Sequence, residues 1–101
     1  MTTETEVQNL SMVWRGINLK VTYKPNHGSF GNYRLAHLAI QSENKKPLPI
    51  TETGYRSHFT EAADIEAYET PIDFVEAWLE HEAQSKEWKA YEADLRQFKL
   101  F

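Results

Sequence analysis

From residue 17 onward apolar and polar side chains alternate, with Ile17, Leu19, Val21 and Tyr23 on one side and Asn18, Lys20, Thr22 and Lys24 on the other. A period of two buries one set and turns the other toward solvent, which predicts a half-buried strand. Turn formers follow at Pro25-Asn26-His27-Gly28-Ser29 and Gly31-Asn32, and residues 33–42 then read as a second strand carrying Leu35, Leu38 and Ile40. The expectation is an antiparallel hairpin that turns within residues 25–32. Asn44-Lys45-Lys46-Pro47 makes a further turn, and Pro49 and Gly54 argue against a long regular element in residues 48–59. One or two short strands fit there.

Beyond residue 70 the period becomes that of a helix. Phe74, Val75, Trp78 and Leu79 form one apolar stripe at spacings of three and four, while Asp73, Glu76, Glu80 and Glu82 face away from it. Thr70 is a predicted N-cap, Pro71 suits the first helical position, and Asp73 completes a threonine-x-x-acid box, so the helix is expected from residue 71. Gln84-Ser85 interrupts or bends it. Trp88, Tyr91, Leu95 and Phe98 make a second stripe, with helix expected to about Arg96. The polar leader Thr2-Thr3-Glu4-Thr5-Glu6 has nothing to bury. The predicted organisation is a flexible tail over 1–10, one α+β domain over 11–96 and a peptide motif over 97–101. Its architecture is a small antiparallel sheet packed against one or two C-terminal helices.

Composition narrows the function classes. A chain of 101 residues has the size of one small domain, with little room for a deep catalytic cavity. Apolar residues at 41% and aromatic residues at 13% are enough for a packed core. The net charge of -4 supplies no global positive field to draw the protein onto nucleic acid. The absence of cysteine removes disulfides, a thiol nucleophile and cysteine zinc ligands, and suits a reducing compartment such as the bacterial cytoplasm. No apolar run approaches the roughly 20 residues that span a bilayer, and residues 1–9 lack the character of a signal peptide. Neither export nor membrane insertion is expected, and the oligomeric state stays open.

The segment 50–59 concentrates the candidate chemistry. Gly54 permits a tight turn, and Thr51, Thr53 and Ser57 can bond local backbone. Glu52, Tyr55, Arg56 and His58 form the candidate ligand-binding set, in which arginine would hold a phosphate or carboxylate and histidine would transfer protons. An internal Glu52–Arg56 salt bridge, with Tyr55 and Phe59 packed inward, accounts for the same residues without a ligand. His37, in a strand of apolar neighbours, could meet His58 across a sheet. His81 has Glu80 and Glu82 beside it, but adjacent helical positions diverge and do not converge on a metal. The two glycines of residues 27–31 lack the lysine of a phosphate loop, and no nucleophile elbow is present. No catalytic residue, metal site or cofactor is assigned. Lys20, Lys24, Lys45, Lys46 and Arg56, with Tyr23 and Tyr55, would make a basic-aromatic face for single strands if the sheet were bare on that side.

Two resemblances add to this reading. Pro47-Leu48-Pro49-Ile50-Thr51-Glu52-Thr53-Gly54-Tyr55-Arg56-Ser57-His58-Phe59 resembles a segment of small, mostly uncharacterised bacterial proteins carried on plasmids and integrated elements. The likeness extends more loosely over an opening strand, over Ala36-His37-Leu38 and over the Trp78 helix, and implies a shared α+β fold without a catalytic role. Gln97-Phe98-Lys99-Leu100-Phe101 resembles the peptide by which bacterial proteins dock onto the replicative sliding clamp: glutamine, two variable positions, leucine and an aromatic. It implies a non-enzymatic interaction module in which Leu100 and Phe101 fill an apolar groove and Gln97 makes polar contacts beside it. The competing expectation folds Leu100 and Phe101 back onto the core as a continuation of the Trp88 stripe.

Overall fold

The computed structural model describes the backbone of residues 7–98 and the side chains of residues 7–95. Four antiparallel strands form a meander in the order β1 (Gln8–Trp14), β2 (Ile17–Phe30), β3 (Tyr33–Ser42) and β4 (Tyr55–Glu61). A short helix α1 (Ala62–Glu66) follows, then α2 (Pro71–Glu82) and α3 (Lys86–Phe98). The fold is therefore α+β, a small antiparallel sheet covered on one face by helices.

The sheet begins earlier than the leader suggested. Gln8, Asn9 and Leu10 pair with Tyr23, Thr22 and Val21, so part of the expected 1–10 tail is strand. Arg15 and Gly16 form the two-residue connection to β2 with φ of 48° and 82°, the paired positive φ of a type I′ hairpin. The next turn is tighter than expected. Residues 25–30 continue β2, and only Gly31-Asn32 separates the paired residues Phe30 and Tyr33. Pro25, which cannot donate to a ladder, sits where the register shifts between Lys24 and Gly28, and this irregularity lets the strand pass through it.

Alternation then sorts the side chains. Leu19, Val21 and Tyr23 of β2 join Ala36, Leu38 and Ile40 of β3 on the helix-covered face, where Val75 and Leu79 of α2 and Ile65 of α1 meet them. Leu35 falls on the other face, opposite Glu61. The Thr70 hydroxyl accepts from the Asp73 amide at 3.1 Å with Pro71 in the first turn, as the capping box requires. Ser85 ends the ambiguity at Gln84-Ser85: its hydroxyl accepts from the Trp88 amide at 3.2 Å, capping a separate α3. Trp14 packs on Trp88 with centroids 5.8 Å apart and donates to Glu80 Oε2 at 2.7 Å, while Arg15 bridges Glu80 and Glu92. The first hairpin is thereby fastened to both long helices. Helix α3 runs two residues past the expected Arg96, to Phe98.

Residues 43–54 are a fixed scaffold. Leu48 and Thr51 exchange two backbone hydrogen bonds, burying Leu48 and Ile50. The Ser42 hydroxyl donates to the Lys46 carbonyl at 2.6 Å, and the Ser42 amide to the Gly54 carbonyl at 2.8 Å. Gly54 has a φ of 82°, and a Cβ there would lie 2.6 Å from Lys45 Cα, so no side chain fits.

Candidate functional site

The residues of the 50–59 segment do not converge on one point. Once Gly54 closes the loop, residues 55–61 form a regular strand, and alternation sends successive side chains to opposite faces. Arg56 and His58 pair with Ile40 and Leu38 on the helix side, whereas Tyr55, Ser57 and Phe59 pair with Gln41, Ala39 and His37 on the other. Glu52 stays on the exposed loop, and among the described residues no ion pair joins it to Arg56. The expected internal salt bridge is replaced by two other contacts. The Arg56 guanidinium donates to the Ile50 carbonyl at 3.0 Å and lies 5.5 Å from the centre of the Trp78 ring.

His58 lies against the same indole at a tilt of 41°, 4.4 Å between centroids, with Phe74 at 6.4 Å. Burial, and secondly the Arg56 charge, lower its pKa below the ordinary 6.5, so it is neutral at physiological pH. A groove of about 500 Å³ opens between His58, Tyr68, Phe74, Trp78 and His81. Of the four candidate residues, Arg56 and His58 thus share Trp78, while Tyr55 and Glu52 stand apart from them.

Among the described residues, the opposite face of the sheet carries no helix. His37 and His58, which could have met across the sheet, are separated by this division, because His37 pairs with Phe59 and His58 with Leu38. Tyr55 and Phe59, expected to pack inward, are each 51% exposed. Phe59 lies 4.4 Å from the His37 ring and 4.9 Å from His27. His37 Nε2 and Ser57 Oγ are 2.6 Å apart, and burial, then His27 and Lys24, hold the His37 pKa below its ordinary value. Among the described residues no carboxylate hydrogen-bonds this histidine, so the contact orients the ring and does not build a nucleophile. Of the basic-aromatic set, Lys20, Lys24 and Tyr55 share this face; Tyr23 and Arg56 point to the helix side.

The open face was missed as a unit because its members lie on separate strands and only the register unites them. Among the described residues, no group of three or more His, Asp or Glu side chains is arranged to hold a metal ion. No described helix is long and apolar enough to cross a membrane. Of the expected docking peptide, Gln97 lies in the last turn of α3 and its side chain, like Leu100 and Phe101, falls outside the described residues. Within the described part, burial along the α3 stripe declines from Trp88, 7% exposed, through half-buried Tyr91 to Leu95, 42% exposed.

The model of one protein family, described as the KlcB third domain, matches residues 7–88. The match takes in the whole sheet, α1, α2 and the first turn of α3, and stops short of residues 97–101. No curated protein and no solved structure matches the chain.

Proposed function

The chain belongs to the KlcB third-domain family, and from that premise we propose that it is a non-enzymatic interaction module of bacterial DNA maintenance, borne on a mobile element and acting in the cytoplasm, that docks on the replicative sliding clamp through Gln97, Leu100 and Phe101. The observation that supports this reading is the loss of burial along α3. Its apolar stripe leaves the core by Leu95, before the peptide begins, so the core does not claim the residues leading into the motif. Gln97 and Phe98 are helical, and docking as an extended peptide requires the last turn to unwind. Helix ends fray at little cost, so this is a small penalty against two apolar anchors in a groove.

Titration of purified clamp with the intact chain tests the proposal. Binding with a Kd on the order of tens of micromolar, weakened at least tenfold by Leu100→Ala/Phe101→Ala, is the expected result for a short two-anchor motif. No binding by the intact chain, or equal binding by the double variant, overturns it. The rival reading, a ligand site in residues 52–58, has less support, since Arg56 is engaged by Ile50 and Trp78 and Tyr55 faces the other way.

A further inference from the structure

We propose that the open face of the sheet is a platform for single-stranded DNA, on which the lysines of β2 hold phosphates and the rings of β4 stack bases. The register lays out the platform. One cross-strand row runs Lys20–Gln41–Tyr55 and another Lys24–His37–Phe59, each with a cation on β2 and a ring on β4. Between them lies a row of small side chains, Thr22–Ala39–Ser57. Four residues of strand separate the two rows, about 13 Å, and two strand spacings separate lysine from ring, about 10 Å. A backbone tracking β2 can therefore turn its bases across β3 onto β4, with the low middle row leaving room for one between the two rings.

Four further features fit that occupant. Tyr55 and Phe59 each leave half of their surface in water on a face that no other described element covers, and flat rings offer every base a stacking partner. Phe59 is held in place by His27 and His37, so little ordering is needed when a base arrives. Phe30 and Tyr33, 6.4 Å apart and exposed at the β2–β3 tip, extend the aromatic surface along the same hairpin. Charge is also divided. Asp73, Glu76, Glu80, Glu82, Glu87 and Glu92 all lie on α2 and α3, across the sheet from this face. On the open side Glu61 stands in the row beyond Phe59, and Glu43, bonded to Asn18, stands at the far end. Neither Lys20 nor Lys24 makes an ion pair among the described residues. The net charge of -4 thus conceals a face on which phosphate meets cations first. The choice of DNA over RNA rests on the clamp reading; the platform itself does not.

Fluorescence anisotropy of a labelled oligothymidylate, about 20 nucleotides long to exceed the usual site size, tests the proposal with the isolated chain and no clamp. The intact chain binds, and binding weakens as salt rises. Tyr55→Thr and Phe59→Thr each weaken it roughly fivefold or more, the loss of one stacked base. Lys20→Gln/Lys24→Gln lowers the salt slope by about 1.4, while Lys86→Gln/Lys89→Gln on α3 changes nothing. Far-ultraviolet circular dichroism checks that each variant is folded. The proposal is overturned if about 100 µM chain leaves the oligonucleotide free at low salt, or if the α3 variant weakens binding as much as the β2 variant. Preference for oligouridylate reassigns the face to RNA and overturns the DNA assignment. Dimerisation without DNA that Phe59→Thr abolishes assigns the face to a second copy of the chain, and overturns it too. Failure here leaves clamp docking standing, and a failed clamp titration leaves this binding measurable.

Discussion

The two faces of the one sheet are built from the same four strands, yet only one of them is used for folding. On the helix side Val21, Leu38, Ile40, Val75 and Leu79 are excluded from water, and even the polar members there, Arg56 and His58, are spent on Trp78. On the open side Lys20, Lys24, Tyr55 and Phe59 surround small side chains and, among the described residues, meet no second layer. The contrast teaches that exposed aromatic residues on a strand are informative when the register lines them up, because a single layer of strands buries nothing on its bare side.

The comparison predicts its largest effect in the core. Leu79→Ala, at a fully buried site against the sheet, should cost about 2–5 kcal/mol in urea unfolding. A loss under about 1 kcal/mol would mean that α2 is not the layer that stabilises this face.

Much of this core was legible in the sequence. Thr70, Pro71 and Asp73 mark the start of α2 by local chemistry alone, and the Ile17-to-Tyr23 alternation marks β2, because neither depends on distant residues. The periodicity alone does not announce the first strand, although Leu10, Met12 and Trp14 alternate and Gly16 marks the turn, and the opening strand that the resemblance implies is in fact two strands, β1 and β2. Pro25 looked like a turn because the signal for an irregular strand and for a loop is the same proline. β4 hid for another reason. Its helix-side positions are Arg56, His58 and Thr60, of which the first two lie against Trp78 and the third donates to Asp64, so no apolar alternation announces it. As for the site, the sequence supplied the residue types of the open face but not their partition, since the side on which Tyr55 and Arg56 fall follows from the register.

Next in size is the loop that turns the chain into β4. Gly54→Ala must place a methyl group against Lys45 and Ser42 at positive φ, and should cost on the order of 2–3 kcal/mol by thermal melt. An unchanged midpoint would show that the 43–54 scaffold yields freely. Arg56→Ala removes one hydrogen bond and a cation–ring contact at the helix-side edge, and a loss of about 1 kcal/mol is expected. A much larger loss would point to a buried charged partner and revive the salt-bridge reading.

A smaller effect separates the faces by pH. His58 has a lowered pKa when folded, so the unfolded chain takes up its proton first as pH falls through 6.5. Stability from this site is therefore complete above 6.5 and declines as pH drops toward the folded value. His37 behaves in the same sense. Melting midpoints measured from about pH 8 to pH 5.5 should fall, and His58→Phe should flatten the fall by up to about one proton's worth of linkage. A midpoint that rises toward acid pH contradicts the assignment of His58 to an apolar, cation-flanked site.

The smallest expected effect on folding tests the central claim most directly, that the open face is free of the fold's stability and available to a partner. Equilibrium urea unfolding of Tyr55→Thr/Phe59→Thr, which keeps strand-forming residues at both positions, should change the unfolding free energy by no more than about 1 kcal/mol. A loss of about 3 kcal/mol or more, comparable to Leu79→Ala, would show that these rings are part of the core and contradict the division of the two faces.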